Sequence, residues 1–147
     1  MKSLKSSYKI INEHNLIIEY HKGDIDLDSY IKFKKKTFTD KDFKTNLNYL
    51  IHFKDVTFFT PPEDIKKFVD FIIHNAPKLG KRKVAFITST PNQVVSTTIY
   101  KTMITNDEQQ VAIFSTNNNA LNWLTSNKLN TKELIEIVKF IEKETER

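Results

Sequence analysis

Hydrophobic positions recur along the chain at two different spacings. Residues 8–13 (YKIINE) and 16–21 (LIIEYH) carry short apolar runs suited to strands, and His14-Asn15 between them predicts a hairpin turn. Gly23 and Asp24 are expected to break the second strand. The spacing then lengthens: Leu27, Tyr30, Ile31 and Phe38 fall on one face of a helix over 27–38, with Asp26 or Asp28 as its N-cap. After the polar stretch 39–46, residues 49–53 (YLIHF) predict a third strand. Thr60-Pro61-Pro62-Glu63 predicts a helix start, with Thr60 as cap, Pro61 in the first helical position and Glu63 closing a capping box. Ile65, Phe68, Val69, Ile72, Ile73 and Ala76 follow at amphipathic spacing, and Pro77 and Gly80 are expected to stop that helix.

Residues 84–88 (VAFIT) and 111–114 (VAIF) are continuous apolar runs, the pattern of strands covered on both faces. Between them Thr90-Pro91-Asn92-Gln93 repeats the capping arrangement. Val94, Val95, Thr98, Ile99 and Met103 are the expected buried stripe of a helix that Asn106-Asp107 ends. A short helix over 117–126 carries Ala120, Leu121, Trp123 and Leu124. Asn130 is expected to cap a last helix, with Glu133 at its third position and apolar residues Leu134, Ile135, Ile137, Val138, Phe140 and Ile141 on more than one side. That helix either covers the sheet of a monomer or forms a homodimer. The order β-β-α-β-α-β-α-β-α-α predicts an α/β fold: a mixed, mostly parallel sheet with an N-terminal β-hairpin and helices on its faces. Residues 1–147 contain no long linker and no repeat, so they read as one domain.

The 147 residues, 39% of them hydrophobic, are enough for a sizeable core, and 11 Phe supply much of its volume. The absence of Cys excludes disulfides, thiolate metal sites and a cysteine nucleophile. With Gly23 and Gly80 the only glycines, no phosphate-binding or dinucleotide-binding glycine loop can be written. No apolar run approaches the ~18 residues of a membrane span, and the first ten residues lack a signal-peptide core, so a cytoplasmic location is expected. The net charge is +5 and the pI about 9.3. Lys34-Lys35-Lys36 and Lys81-Arg82-Lys83 are the basic clusters. Phosphate binding competes there with a solvated helix end and a solvated approach to a strand. With 21 Lys against 2 Arg and no nucleic-acid motif, the solvated reading is preferred and nucleic acid is not an expected partner.

Catalytic chemistry finds little support. The histidines at 14, 21, 52 and 74 lack metal-ligand spacing and read as surface or half-buried; the metal alternative would bring two of them together with Asp24 or Asp55. Ser89 sits in no nucleophile elbow. Asp24, Asp26 and Asp28 imitate a calcium loop, but Ser29 and Lys35 stand where such a loop needs Gly and Glu. No enzyme activity, metal or cofactor is therefore expected. One positional argument remains: open α/β sheets bind ligands beyond the carboxyl ends of their strands. Those ends carry Asp55 and Thr57, then Thr88, Ser89 and Thr90, then Ser115 and Thr116, a set that suits anion binding but that capping alone explains, and capping is the preferred reading. Phe58, Phe59 and Thr60 follow the third strand. The many Phe form either a plain core or a lipid-binding cleft between helix and sheet.

The element order, the Lys83-Val84-Ala85-Phe86-Ile87 strand, and Phe114-Ser115-Thr116 leading into Ala120-Leu121-Asn122-Trp123-Leu124 resemble the STAS domain, the fold of bacterial anti-sigma-factor antagonists. The likeness is to its SpoIIAA-like subgroup, often placed with SEC14-type domains; it covers about 8–125, and the helix at 130–147 looks like an addition. The resemblance implies a non-enzymatic regulatory or protein-interaction module with an unidentified protein partner. STAS antagonists are switched by phosphorylation in an Asp-Ser-Ser-Gly-like turn after the third strand. The matching stretch here is Asp55-Val56-Thr57-Phe58, which keeps the Asp and a hydroxyl at Thr57 but lacks the Gly. The SEC14-like relatives imply the alternative, a lipid or other small amphiphile in an apolar cleft.

Overall fold

The computed structural model describes residues 2–104, 108–126 and 131–146. Its strands are β1 (Lys5–Ile11), β2 (Leu16–Ile25), β3 (Asn48–Phe58), β4 (Arg82–Ile87) and β5 (Gln109–Phe114). Its helices are α1 (Leu27–Phe38), α2 (Pro62–His74), α3 (Ala76–Leu79), α4 (Pro91–Met103), α5 (Asn117–Leu124) and α6 (Lys132–Glu146). The strands form one sheet in the order β1-β2-β3-β4-β5. β1 runs antiparallel to β2 and every other pair is parallel. This is the expected mixed α/β architecture. Among the described residues no helix is long and apolar enough to cross a membrane.

Strand alternation sorts the core into two layers. Ile17, Tyr49, Ile51, Phe53, Val84 and Phe86 point to one face and pack under α1, α2 and α4. Leu16, Ile18, Tyr20, Leu50, Ala85 and Ile87 point to the other and are covered by α5 and α6. α6 contributes Leu134, Val138 and Ile141 to this second layer and leaves Phe140 59% exposed. Covering the sheet is thus one role this helix fills.

Local chemistry places most helix starts. Asp26 accepts the Ser29 N–H at 2.9 Å, Thr90 that of Gln93 at 3.3 Å, and Thr116 that of Asn119 at 3.2 Å. α2 departs from expectation. Pro61, not Thr60, is its N-cap and no side chain caps it. Thr60 turns away, its hydroxyl directed at Ile25 O 3.5 Å off. Pro77 does not end α2, which stops at His74, but lies in the single turn α3. The cap at Asn130 and the stop at Asn106-Asp107 lie outside the described residues.

Three further expectations are corrected. β1 spans Lys5–Ile11 and is followed by a short 3-10 turn, Asn12–His14, with Asn15 left-handed at φ 55°. Gly23 and Asp24 do not break β2, which runs through them. Gly23 is required there because the backbone beyond Lys2 lies against it: a Cβ would stand 2.3 Å from Ser3 O, at φ +106°. Finally, α4 turns a different face inward. Val94 and Val95 are 42% and 56% exposed, while Gln93, Ser96, Thr97 and Tyr100 are buried. That polar-looking face can sit inside because its groups are bonded there; the Thr97 hydroxyl, for one, donates to Gln93 O at 2.9 Å.

Candidate functional site

β3 outruns β4. Its residues Tyr49–His52 pair with Val84–Ile87, and beyond them only β2 lies alongside. The carbonyls of Lys54 and Val56 therefore lose their ladder partner and need a donor. Gln93 supplies it: its Nε2 donates to Lys54 O at 2.9 Å and Val56 O at 2.8 Å, while its Oε1 accepts from Ser89 N at 2.8 Å. Asn92 closes the next step, accepting from Phe58 N at 2.8 Å and donating to Phe58 O. Two adjacent amides thus fasten the start of α4 to the overhanging end of β3.

Beneath this overhang lies an apolar cleft at the carboxyl end of β2 and β3, between the sheet and α1, α2 and α4. Ile25, Tyr30, Phe58, Thr60, Phe68 and Ser96 are among its walls. It holds about 480 Å³ of empty space with its mouth included, of which about 50 Å³ admits a water-sized particle. At its base five aromatic rings close a circuit. Tyr30 meets Phe53 at 5.7 Å, Phe53 meets Phe86 at 5.5 Å, Phe86 meets Tyr100 at 5.6 Å, Tyr100 meets Phe68 at 5.7 Å, and Phe68 returns to Tyr30 at 5.1 Å. Four of them, Tyr30, Phe68, Phe86 and Tyr100, also wall a second, smaller cavity on the other side, at the amino end of β3, β4 and β5.

That lower cavity contains charge. Both basic clusters were expected to be solvated, yet Lys34 is 4% exposed and Arg82 7%. Each turns one cation inward, because its position falls on the core-facing side of a helix or strand. Lys34 pairs with Glu19, which is fully buried on β2. Burial pushes the Glu19 carboxyl up, but the Lys34 charge and bonds from His21 and Lys34 outweigh it and hold it at about 2. An ionised carboxylate only accepts, so the proton of neutral His21 belongs on Nε2, 2.9 Å from Glu19 Oε1. His21 Nδ1 then accepts from the Ser6 hydroxyl at 2.7 Å. Burial lowers His21, and it is neither a surface nor a half-buried histidine. The Lys34 ammonium also lies 4.6 Å from the centre of the Tyr49 ring. Arg82 donates to Gly80 O at 2.7 Å and Gln109 Oε1 at 3.1 Å, and Gln109 Nε2 donates to the Tyr100 oxygen at 2.9 Å. Among the described residues the buried Tyr49 hydroxyl has no hydrogen-bond partner.

Of the residues singled out from sequence, Phe58 and Thr60 reach the upper cleft. Phe58 packs edge-on against Phe53 at 5.0 Å, and Phe59 faces solvent, 53% exposed. Asp55 and Thr57 lie within β3, still paired with Lys22 and Asp24 of β2, not in a turn after it. Asp55 accepts from the Tyr20 hydroxyl on the α6 side of the sheet. Thr88 is buried at the end of β4 and its N–H donates to Phe114 O at 3.0 Å. Ser89, Thr90, Ser115 and Thr116 are exposed, and Thr90 and Thr116 are occupied as caps.

On the α6 side His52 is buried, its Nε2 3.4 Å from Glu142 Oε1. Burial lowers it to about 4, so at neutral pH this is not an ion pair. His21 and His52 alternate to opposite faces of the sheet and do not converge. The described groups that do approach as metal ligands would are Glu13, His14 and Glu133, within 4.8 Å of one another on an open surface. Nothing else about that cluster marks it as an ion site.

Glu19, Tyr49 and Gln109 were not singled out from sequence, and Lys34 and Arg82 were placed in solvated clusters. Alternation did carry a signal: a β2 buried on both faces forces Glu19 and His21 inside with Ile17, and a buried carboxylate demands a cation.

No family model matches this chain, and no curated protein matches it. A solved structure of an uncharacterized protein from the DUF3478 family with a SpoIIAA-like fold, from Shewanella loihica PV-4, superposes with a TM-score of 0.56 at 12% identity. The match covers 84% of this chain and 95% of that one. The chain has a SpoIIAA-like α/β fold, as the sequence resemblance implied; at this identity the likeness concerns the fold alone.

Proposed function

We propose that the protein is a non-catalytic binding module that takes the apolar part of a small amphiphile into the upper cleft. The observation that carries this reading is the cleft itself. It is lined by aromatic and aliphatic side chains, opens at the carboxyl ends of parallel strands, and is framed by the Gln93 and Asn92 contacts rather than by loose loops. The neutral fluorophore N-phenyl-1-naphthylamine should brighten on binding there. Thr60→Trp, a bulky group set at the half-buried rim, should weaken that binding about tenfold or more without unfolding the protein. Undiminished binding by the variant would overturn the reading.

A second reading, a regulatory module docking a protein partner, rests on Phe59. It stands 53% exposed next to the Phe58–Asn92 contact, with Val94 and Val95 exposed just beyond. Phe59→Asp should then abolish capture of a partner while leaving the unfolding transition unchanged. A partner still retained by Phe59→Asp sinks it.

A further inference from the structure

The lower cavity is built differently from the upper one. Its walls include Lys34, Tyr49, Arg82, Tyr100 and Gln109, all buried. Lys34 and Glu19 cancel and His21 is neutral, while the charge of Arg82 is faced by Glu108, which is exposed. Among the described residues the side-chain hydrogen bonds of Arg82 go to the neutral oxygens of Gly80 and Gln109, two of a guanidinium's five N–H donors. Tyr49, 3% exposed, adds a hydroxyl with no partner among the described residues. A buried donor without a partner carries a desolvation penalty, which a group that engages it relieves. Among the described residues, a phenol without a partner and an arginine with donors to spare describe a receptor for an anion. A carboxylate fits best, being small, planar and able to take two parallel bonds from a guanidinium.

Tyr30, Phe68, Phe86 and Tyr100 line both cavities, so a molecule reaching from one into the other must pass between these rings. Arg82 and Phe86 lie on the same strand, four residues or about 13 Å apart. We infer that the ligand is a monocarboxylic acid with an apolar tail, its carboxylate held by Arg82 and Tyr49 in the lower cavity and its tail passing the aromatic circuit into the upper cleft. This rests on the upper cleft being a ligand site, as proposed above.

Decanoate and its methyl ester, each displacing N-phenyl-1-naphthylamine at pH 7, separate head from tail. The acid should displace the probe at roughly tenfold lower concentration than the ester, as expected for a hydrogen bond to a charged group. Tyr49→Phe should remove most of that advantage, leave ester binding unchanged and not lower the urea midpoint, because among the described residues the hydroxyl has no partner to lose. Arg82→Gln should remove the advantage as well. Equal displacement by acid and ester overturns the carboxylate site while leaving the apolar cleft standing. An acid preference untouched by Tyr49→Phe and Arg82→Gln overturns its placement in the lower cavity. Failure of the probe itself to bind overturns both readings.

Discussion

Lys34, the first of a run of three lysines, is the buried partner of Glu19, and neither side chain meets water to any appreciable extent. Such a pair does not by itself add much stability, because desolvation consumes most of the attraction. Its energetic signature lies in breaking it. Lys34→Met should cost about 3–5 kcal/mol, since it strands the Glu19 charge against Tyr30 and His21. The double variant Lys34→Met with Glu19→Leu should recover most of the loss. Urea denaturation of the two proteins checks this, and a double variant as unstable as the single one would contradict it.

Acid should act in two stages. His21 and His52 are both held below their usual value of 6.5, His52 at about 4. Below pH 6.5 the unfolded chain takes up protons that the folded one refuses, so stability falls with pH, by at most about 1.4 kcal/mol per unit for each group. Glu142, raised by burial and by Asp55 and Glu146, works the other way as it gains its proton. Glu19, held at about 2, adds the second stage: its contribution is complete above the unfolded value near 4.5 and is lost as pH falls toward 2. Unfolding midpoints at pH 7, 5.5 and 4 should decline throughout. His52→Leu should flatten the first part, and an unchanged slope in that variant would remove His52 from the account.

Gln93 should be the most sensitive polar residue at the upper end. Gln93→Ala leaves the carbonyls of Lys54 and Val56 buried without their donor, a loss of about 2–3 kcal/mol. It should also loosen the cleft, so probe affinity should drop along with the denaturation midpoint. Thr90→Ala, which removes only the cap, should cost about 1 kcal/mol. If the two variants prove equal, Gln93 acts as nothing more than part of a capping box.

What could be read from the sequence was what is decided locally. Asp26, Thr90 and Thr116 cap helices through neighbours three residues away, and the strand and helix periods of β4, β5 and α2 follow directly from spacing. Charge burial is decided elsewhere. Lys34 lies seven residues after Leu27, hence on the same helical face, but its place in the core depends on Glu19, 15 residues earlier in another element. Gln93 looked like a cap because its second task, Lys54 O and Val56 O, lies nearly forty positions away. The inward turn of Ser96 and Thr97 on α4 reverses what hydrophobicity suggests, since Val94 and Val95 are the more apolar residues and stay outside. Phe58 and Phe59 were separable only in structure, where pairing with β2 points one inward and the other out.

The second core layer has an implication for how the chain assembles. α6 packs on β1 and β2, and the Thr145 hydroxyl donates to the Ser7 hydroxyl at 2.7 Å across 138 positions. The strands it shields are synthesised first and the shield follows more than a hundred residues later. During translation Leu16, Ile18 and Tyr20 therefore wait without α6, while α1 and α2 can already close the opposite side. A loop of that length is costly to close in time rather than in free energy, because closure entropy grows only logarithmically while distant contacts slow folding. The emerging chain thus passes through a half-covered state whose exposed apolar strip is where chaperones, or a neighbouring nascent copy, would first take hold.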